Sequence, residues 1–216
     1  MIRGGETLLI ATRNKGKTKE FREAFAALGV QVKDLNEVPG VPDIEETGDT
    51  FAANALIKAK AASEATGLPA LADDSGLCVD ALGGAPGVYS ARYAGEGAGD
   101  AANNAKLLRE LAALGEPPAD LPSPEGLPGA RLLSRARFVC SLVLYEPRTG
   151  EQIVAEGAAE GFIADTASGS GGFGYDPLFY LPEFGRSMAD ISVAEKNRIS
   201  HRGKALRLLL EKLEGV

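Results

Sequence analysis

Apolar positions along the chain fall into short blocks whose spacing switches between the period of a strand and that of a helix. "ETLLIAT" (6–12) is a short β-rich run. In the "TKEFREAFAALG" that follows, Phe21, Ala24, Phe25 and Leu28 recur at helical spacing and Gly29 supplies a stop. "VQVKDL" then alternates as a strand does, and "TGDTFAANALIKAKAASEATG" predicts a second helix with Thr50 or Asp49 at its N-cap. The chain therefore opens β-α-β-α.

A strand is predicted at "PALADDSGLCVDAL", with the acidic pair Asp73-Asp74 at its end before Gly76. The Gly-rich connection "GGAPGVYSARYAGEGAG" leads to a helix over Asp100–Leu114 with Leu107, Leu108, Leu111 and Leu114 on one face. The segment Gly115–Ala130 holds five of the twelve prolines and no period, so it reads as a loop or mobile insertion and as the best candidate for disorder. Beyond it, "ARFVCSLVLYE" and "EQIVAEGAAEGFIA" joined by "PRTG" predict an antiparallel hairpin. A parallel start and an antiparallel hairpin together predict a mixed sheet. After the loop "SGSGGFGYDPLFYLPEFG" come two helices, "SVAEKNRI" and "SHRGKALRLLLEKL", the second capped by Ser200.

Composition narrows the class. The chain has 216 residues, 44% hydrophobic and 25% charged, which fits one globular folding unit. Its 27 glycines are nearly double the ordinary share of about 7%, which points to close backbone approaches. A formal net charge of −7 repels a nucleic-acid backbone, so any anionic ligand needs a local basic pocket. No apolar run approaches the roughly 18 residues of a membrane span, and the N-terminal apolar stretch is too short for a signal peptide. Cys78 and Cys140 lack metal-ligand spacing and are too few for a disulfide framework, so a soluble protein of the reducing cytoplasm, with no nucleic-acid or membrane partner, is expected.

Five stretches carry candidate chemistry. In "ATRNKGK", a strand turning into a helix aims backbone N–H groups at one point, and Lys17 adds a full charge, which suits a phosphate. It is not a Walker A loop, and an ordinary turn with surface lysines is the alternative. Glu45-Glu46 precede a helix. Asp73 and Asp74, as strand neighbours, point to opposite faces, so that one can be catalytic while the other supports. A divalent cation would offset the burial of such carboxylates; the alternative is an acidic surface loop.

Asn54 and Lys58 share a helix face, as anion ligands or as a solvated polar stripe. "SGSGGFGYDPLF" sets four glycines around Phe173, so that backbone can approach a planar ligand while a ring stacks on it; the alternative is a glycine-rich loop that packs its aromatics into the core. His201, the only histidine, stands beside Arg202 at a helix start, with Lys196 one segment earlier. No Ser-His-Asp or Cys-His arrangement supports acyl transfer.

"ATRNKGK", "EETGDTFAANALIKAKAA", "ADDSGLCVDALGGAPGVYSARYAG", "GGFGYDPLF" and "EKNRISHRGKAL", in that order, closely resemble the inosine/xanthosine triphosphate pyrophosphatase family over nearly the whole chain. The resemblance implies one α/β domain over 1–216, elongated and two-lobed around a long mixed sheet with flanking helices and a cleft between the lobes, and a homodimer. It implies Mg²⁺-dependent conversion of ITP, dITP or XTP to the monophosphate and pyrophosphate. It makes Thr12, Arg13, Asn14, Lys15, Gly16 and Lys17 the triphosphate loop, with Asn14 and Lys17 as direct contacts, and Lys58 a further phosphate ligand. Asp74 matches the general base and a metal ligand, Glu46 the other metal-side acid and Ser75 a substrate contact. Phe173, Gly174, Tyr175 and Asp176, together with Lys196, His201 and Arg202, match the base pocket.

Two departures stand out: Ala53 replaces a glutamate of many relatives, and the Gly115–Ala130 segment looks longer than usual. Competing readings are a pyrophosphatase for pyrimidine or modified nucleotides, and a silent nucleotide-binding regulator. The acids Glu46 and Asp74 argue against the second, since a pure anion binder gains nothing from them.

Overall fold

The computed structural model describes residue 2 and residues 4–214. The elements in chain order are β1 (Thr7–Ile10), α1 (Lys15–Phe25), β2 (Gln31–Asp34), α2 (Phe51–Thr66), β3 (Ala70–Val79), α3 (Gly99–Ala113), β4 (Leu132–Tyr145), β5 (Gln152–Ala164), β6 (Phe179–Leu181), β7 (Arg186–Ser187), α4 (Val193–Ile199) and α5 (His201–Glu214). The seven strands pair in the order β2-β1-β3-β4-β5-β6-β7. β1 is parallel to β2 and to β3, whereas β6 is antiparallel to β5 and to β7, so the sheet is mixed. Contacts divide the chain into a first unit (1–74, 140–157, 204–216) and a second (75–139, 158–203).

In the first unit, strand alternation sorts the side chains between two helix layers. Leu8, Ile10 and Leu71 face a cluster with Phe21 and Phe25 of α1 and Leu206 and Leu209 of α5. Leu9, Ala70 and Ala72 face the other way, onto Ala55, Ala59 and Ala62 of α2. The small face of α2 lets its backbone lie close to the sheet, whereas α1 fills its gap with Phe21 and Phe25 at i, i+4. Burial of each phenylalanine stabilises the fold by about 1.5–3 kcal/mol.

The helix ends follow sequence chemistry. The Asn14 side chain accepts from Gly16 and Lys17 N–H, which starts α1, and Thr50 Oγ1 accepts from Ala53 N–H at 3.1 Å, which starts α2. Past Phe25, α1 tightens into a 3₁₀ turn over Ala26–Leu28 before Gly29. At the β4–β5 turn, buried Glu146 takes two bonds from the Arg148 guanidinium, at 2.8 and 2.7 Å, and Arg148 holds its carboxyl below the usual range.

The second unit packs Leu77 and Val79 of β3 against Leu107 and Leu111 of α3, with Phe138, Ile163, Phe179 and Met188. The proline-rich segment contains neither helix nor strand, but it departs from the expectation of disorder. Leu121 and Leu127 pack on Leu132, Ala164 and Tyr180, and the Tyr180 hydroxyl donates to Glu125 O at 2.9 Å. Gly126 has φ +77° and passes so close to Gly185 that a Cβ would lie 2.2 Å from its carbonyl oxygen, so no other residue fits there.

Candidate active site

The acidic pair is not at a strand end, as the sequence reading had it, but inside the ten-residue β3, with Asp73 and Asp74 both buried. Gly76 continues the strand rather than ending it. The alternation that sorts Leu71 from Ala72 also sorts the acids. Asp73, on the Leu71 face, meets Lys17 of α1, its two oxygens 3.1 and 2.9 Å from Nζ. Asp74, on the Ala72 face, meets α2: Asn54 Nδ2 donates to it at 3.1 Å and Lys58 Nζ lies 3.7 Å away.

Lys58 also donates to Glu46 Oε1 at 3.0 Å, so one ammonium draws Glu46 and Asp74 toward a common point. Asn54 is wholly buried and also accepts from Gly48 N–H at 2.7 Å. The α2 pair Asn54 and Lys58 is therefore not a solvated stripe. Fixed amide and ammonium donors hold these carboxylates in place.

Thr12, Arg13, Lys17, Glu46, Lys58 and Asp73 line a polar cavity of about 260 Å³ within the first unit. Arg13 is braced by the carbonyls of Leu35 and Val41, at 3.2 and 3.3 Å, and Asp43 lies 3.8 Å from its guanidinium. The remaining loop residues do not line this cavity. Asn14 uses its side-chain oxygen as the helix cap, so the Gly16 and Lys17 amides already have a partner instead of pointing freely at a ligand. Lys15 is exposed on the first turn of α1.

A second cavity, of about 180 Å³, lies within the second unit. Leu77, Phe138, Tyr175 and Met188 give it apolar walls, and Ser75, Asp176, Lys196, His201 and Arg202 contribute polar groups. Lys196 Nζ bonds Asp176 Oδ2 at 2.5 Å and sits 4.6 Å from the centroid of Phe173, a ring that remains 67% exposed. His201, the first residue of α5, stacks on Phe138 with centroids 5.3 Å apart, and Ser200 Oγ caps that helix by accepting from Gly203 N–H. The Tyr175 hydroxyl donates to Ser90 O at 2.8 Å. Burial, and then the nearby Tyr93 and Asp100, push its pKa up, so it stays a neutral donor.

Every base-pocket residue expected from the sequence lines this cavity, Phe173 and Gly174 included. Asp43 of the first cavity and Asp100 and Phe138 of the second are cavity residues that the sequence did not single out. Only Asp100 carried a signal, an acid at a predicted helix start.

Among the described residues no group of three or more acidic, histidine or cysteine side chains forms a ready metal cage. Glu46 and Asp74, converging on one cation, do fit an ion that takes one or two carboxylates and completes its shell from a ligand's phosphates.

An α/β chain built this way has one pocket of interleaved cations and carboxylates, suited to a polyanion, and one apolar pocket suited to a planar group, the means of a small-molecule-binding protein. The chain belongs to the Ham1 family, whose model matches residues 8–212. It is 51% identical over 97% of its length to the dITP/XTP pyrophosphatase of Geobacillus kaustophilus, covering 95% of that protein. It is 48% identical over 96% of its length to the protein of that name from Streptococcus agalactiae, of which it spans 59%. A solved HAM1 protein from Coxiella burnetii superposes with a TM-score of 0.84 at 42% identity, covering 97% of this chain and 99% of that one.

Proposed function

We propose that the chain is a Mg²⁺-dependent nucleoside triphosphate pyrophosphohydrolase that converts ITP, dITP and XTP to the monophosphate and pyrophosphate. The observation that carries this reading is the first cavity, where Lys17 and Lys58 each lie against a carboxylate. Charges of both signs in one pocket suit a metal-bound polyphosphate better than a bare anion. Activities named for the Geobacillus and Streptococcus relatives support the same reading.

In this mechanism Thr12, Arg13 and Lys17 hold the β- and γ-phosphates, with Lys58 nearby. Asp74 accepts a proton from a water whose oxygen attacks the α-phosphorus. The α-phosphorus–bridging-oxygen bond breaks in line, and pyrophosphate departs against the Lys17 and Lys58 ammoniums. Glu46 and Asp74 would hold the Mg²⁺, which supplies charge neutralisation on the phosphate oxygens. Asp73 supports by keeping Lys17 in place.

The second cavity takes the base. Hypoxanthine and xanthine present a carbonyl at the 6-position, which His201, Arg202 and backbone N–H groups can serve. Adenine presents an amino donor there and leaves those donors unpaired, a mismatch that can discriminate by about 10⁴. On this reading the working form is a cytoplasmic homodimer without nucleic-acid or membrane partners. Guanine shares the 6-carbonyl, so its rejection rests on its 2-amino group. The test is a comparison of ITP, XTP, GTP and ATP as substrates: the reading expects ITP and XTP to be strongly preferred, and equal rates on all four would overturn it.

A further inference from the structure

The Phe173 ring is two-thirds exposed, so burial does not hold it over the second cavity. The chain around it is the glycine-rich "SGSGGFG", in which Gly172 and Gly174 have φ +73° and +60°. A segment of this composition does not hold one conformation by its own preferences. Its position is set by hydrogen bonds. Phe173 N–H donates to Asp176 Oδ2 at 3.0 Å, and α3 grips the next residue on both sides. Gly174 N–H donates to Asp100 Oδ2 at 2.7 Å, and Gly174 O accepts from Asn104 Nδ2 at 2.8 Å.

Asp100 and Asn104 are four apart on α3, one turn above the other, so their side chains reach the same peptide neighbourhood. Two carbonyl acceptors, Asp100 O and Gly174 O, fix which end of the Asn104 amide is the nitrogen. Its oxygen is buried and has no hydrogen-bond partner among the described residues, so this amide is placed for its donors.

We propose that Asp100 and Asn104 are positioning residues that clamp Gly174 and hold Phe173 where it can stack on the base. Through that platform they set affinity for the purine moiety. This rests on the reading of the second cavity as the base pocket, and it adds two residues of α3 to that pocket's support. With the clamp released, the Phe173 loop samples other conformations and the base loses its stacking surface, while the groups around the polyphosphate are untouched.

The experiment uses Asp100→Ala, Asn104→Ala and the conservative Asp100→Asn. Each is assayed for KM and kcat on ITP, for IMP binding by calorimetry, for inhibition by inorganic tripolyphosphate, which lacks a base, and for exchange of the Gly174 amide. Losing one such hydrogen bond should raise the ITP KM and the IMP Kd by about tenfold in each alanine variant. The effect should fall on KM more than on kcat, with tripolyphosphate inhibition retained and Gly174 exchange accelerated in Asp100→Ala. Asp100→Asn, which keeps an acceptor for the Gly174 N–H, should recover most of the affinity.

Unchanged IMP affinity in both alanine variants would overturn the clamp, as would a parallel loss of tripolyphosphate inhibition. Wild-type protein that hydrolyses no triphosphate but binds IMP would retire the proposed reaction, and the IMP measurement would still decide the clamp. Wild-type protein that neither binds IMP nor hydrolyses ITP would overturn both.

Discussion

The ammonium of Lys17 contacts both carboxylate oxygens of Asp73 across 56 positions of sequence. Asp73 is 3% exposed and Lys17 27%, so the lysine compensates a carboxylate that water barely reaches. In the proposed mechanism the same lysine must face a triphosphate, which it can do while remaining beside Asp73. Lys17→Met should lower stability by about 1.5–3 kcal/mol, the range for a hydrogen bond to a charged group, and should raise the KM for ITP. In Lys17→Met/Asp73→Asn the stability should largely return and the KM should not. Chemical denaturation and steady-state kinetics separate the two effects; a double variant with normal KM would remove Lys17 from substrate binding.

Asp74 and Asp73 are assigned different tasks by the strand faces they occupy. Asp74→Asn should lower kcat at least about a hundredfold with the fold intact. Asp73→Asn should act mainly through Lys17, on KM and stability. Pyrophosphate release by the two variants decides between them. A larger kcat loss at Asp73, which lines the first cavity directly, would exchange their roles.

Asp34 gives the first unit an acid limit. Burial alone would raise its pKa, but hydrogen bonds from Thr18 and from the N–H groups of Asn36 and Glu37 outweigh burial and bring it below the ordinary 3.8. A depressed folded-state pKa contributes stability that is present above about pH 3.8 and lost as pH falls through the lower folded value. Asp34→Asn should therefore be less stable at neutral pH and show a flatter acid limb. Melting temperatures between pH 2 and 7 check this, and parallel curves for the two proteins would contradict it.

Tyr175 sets the opposite limit in the second unit. Its raised pKa means that the folded state holds the phenolic proton more tightly than the unfolded chain. Its contribution is fully present below the ordinary value of 10.0 and is lost as pH rises through the folded value. Tyr175→Phe removes the bond to Ser90 O and should destabilise by about 1 kcal/mol, with a weaker alkaline decline. Stability measured from pH 8 upward tests both parts.

Period and capping chemistry made much of the fold legible. The opening β-α-β-α, the hairpin around "PRTG", and the caps Thr50 and Ser200 all correspond to local hydrogen bonds or to alternation visible in a dozen residues. The acidic pair reads as a strand end because Gly76 and two acids look like a stop, whereas partners from α1 and α2 make the acids tolerable inside the strand. Such partners lie far off in sequence, and no local pattern names them. The proline-rich segment looked mobile for a similar reason: Leu121 and Leu127 follow no period, yet they have a surface to pack on.

The candidate site was legible by residue type more than by arrangement. Lys17, Lys58, Glu46 and the residues from Phe173 to Asp176 could be picked out, because loose glycines and clustered charge are unusual in a core. The Asp100–Asn104 grip on Gly174 could not, since it depends on where a loop lies against a helix whose two residues stand 74 and 70 positions away in sequence.

The central claim is tested most directly by the products formed from ITP with and without Mg²⁺, resolved by phosphorus NMR. The account predicts IMP and pyrophosphate in equal amounts, formed only when the divalent ion is present. Release of inorganic phosphate and IDP instead, or an undiminished rate after chelation, would contradict it.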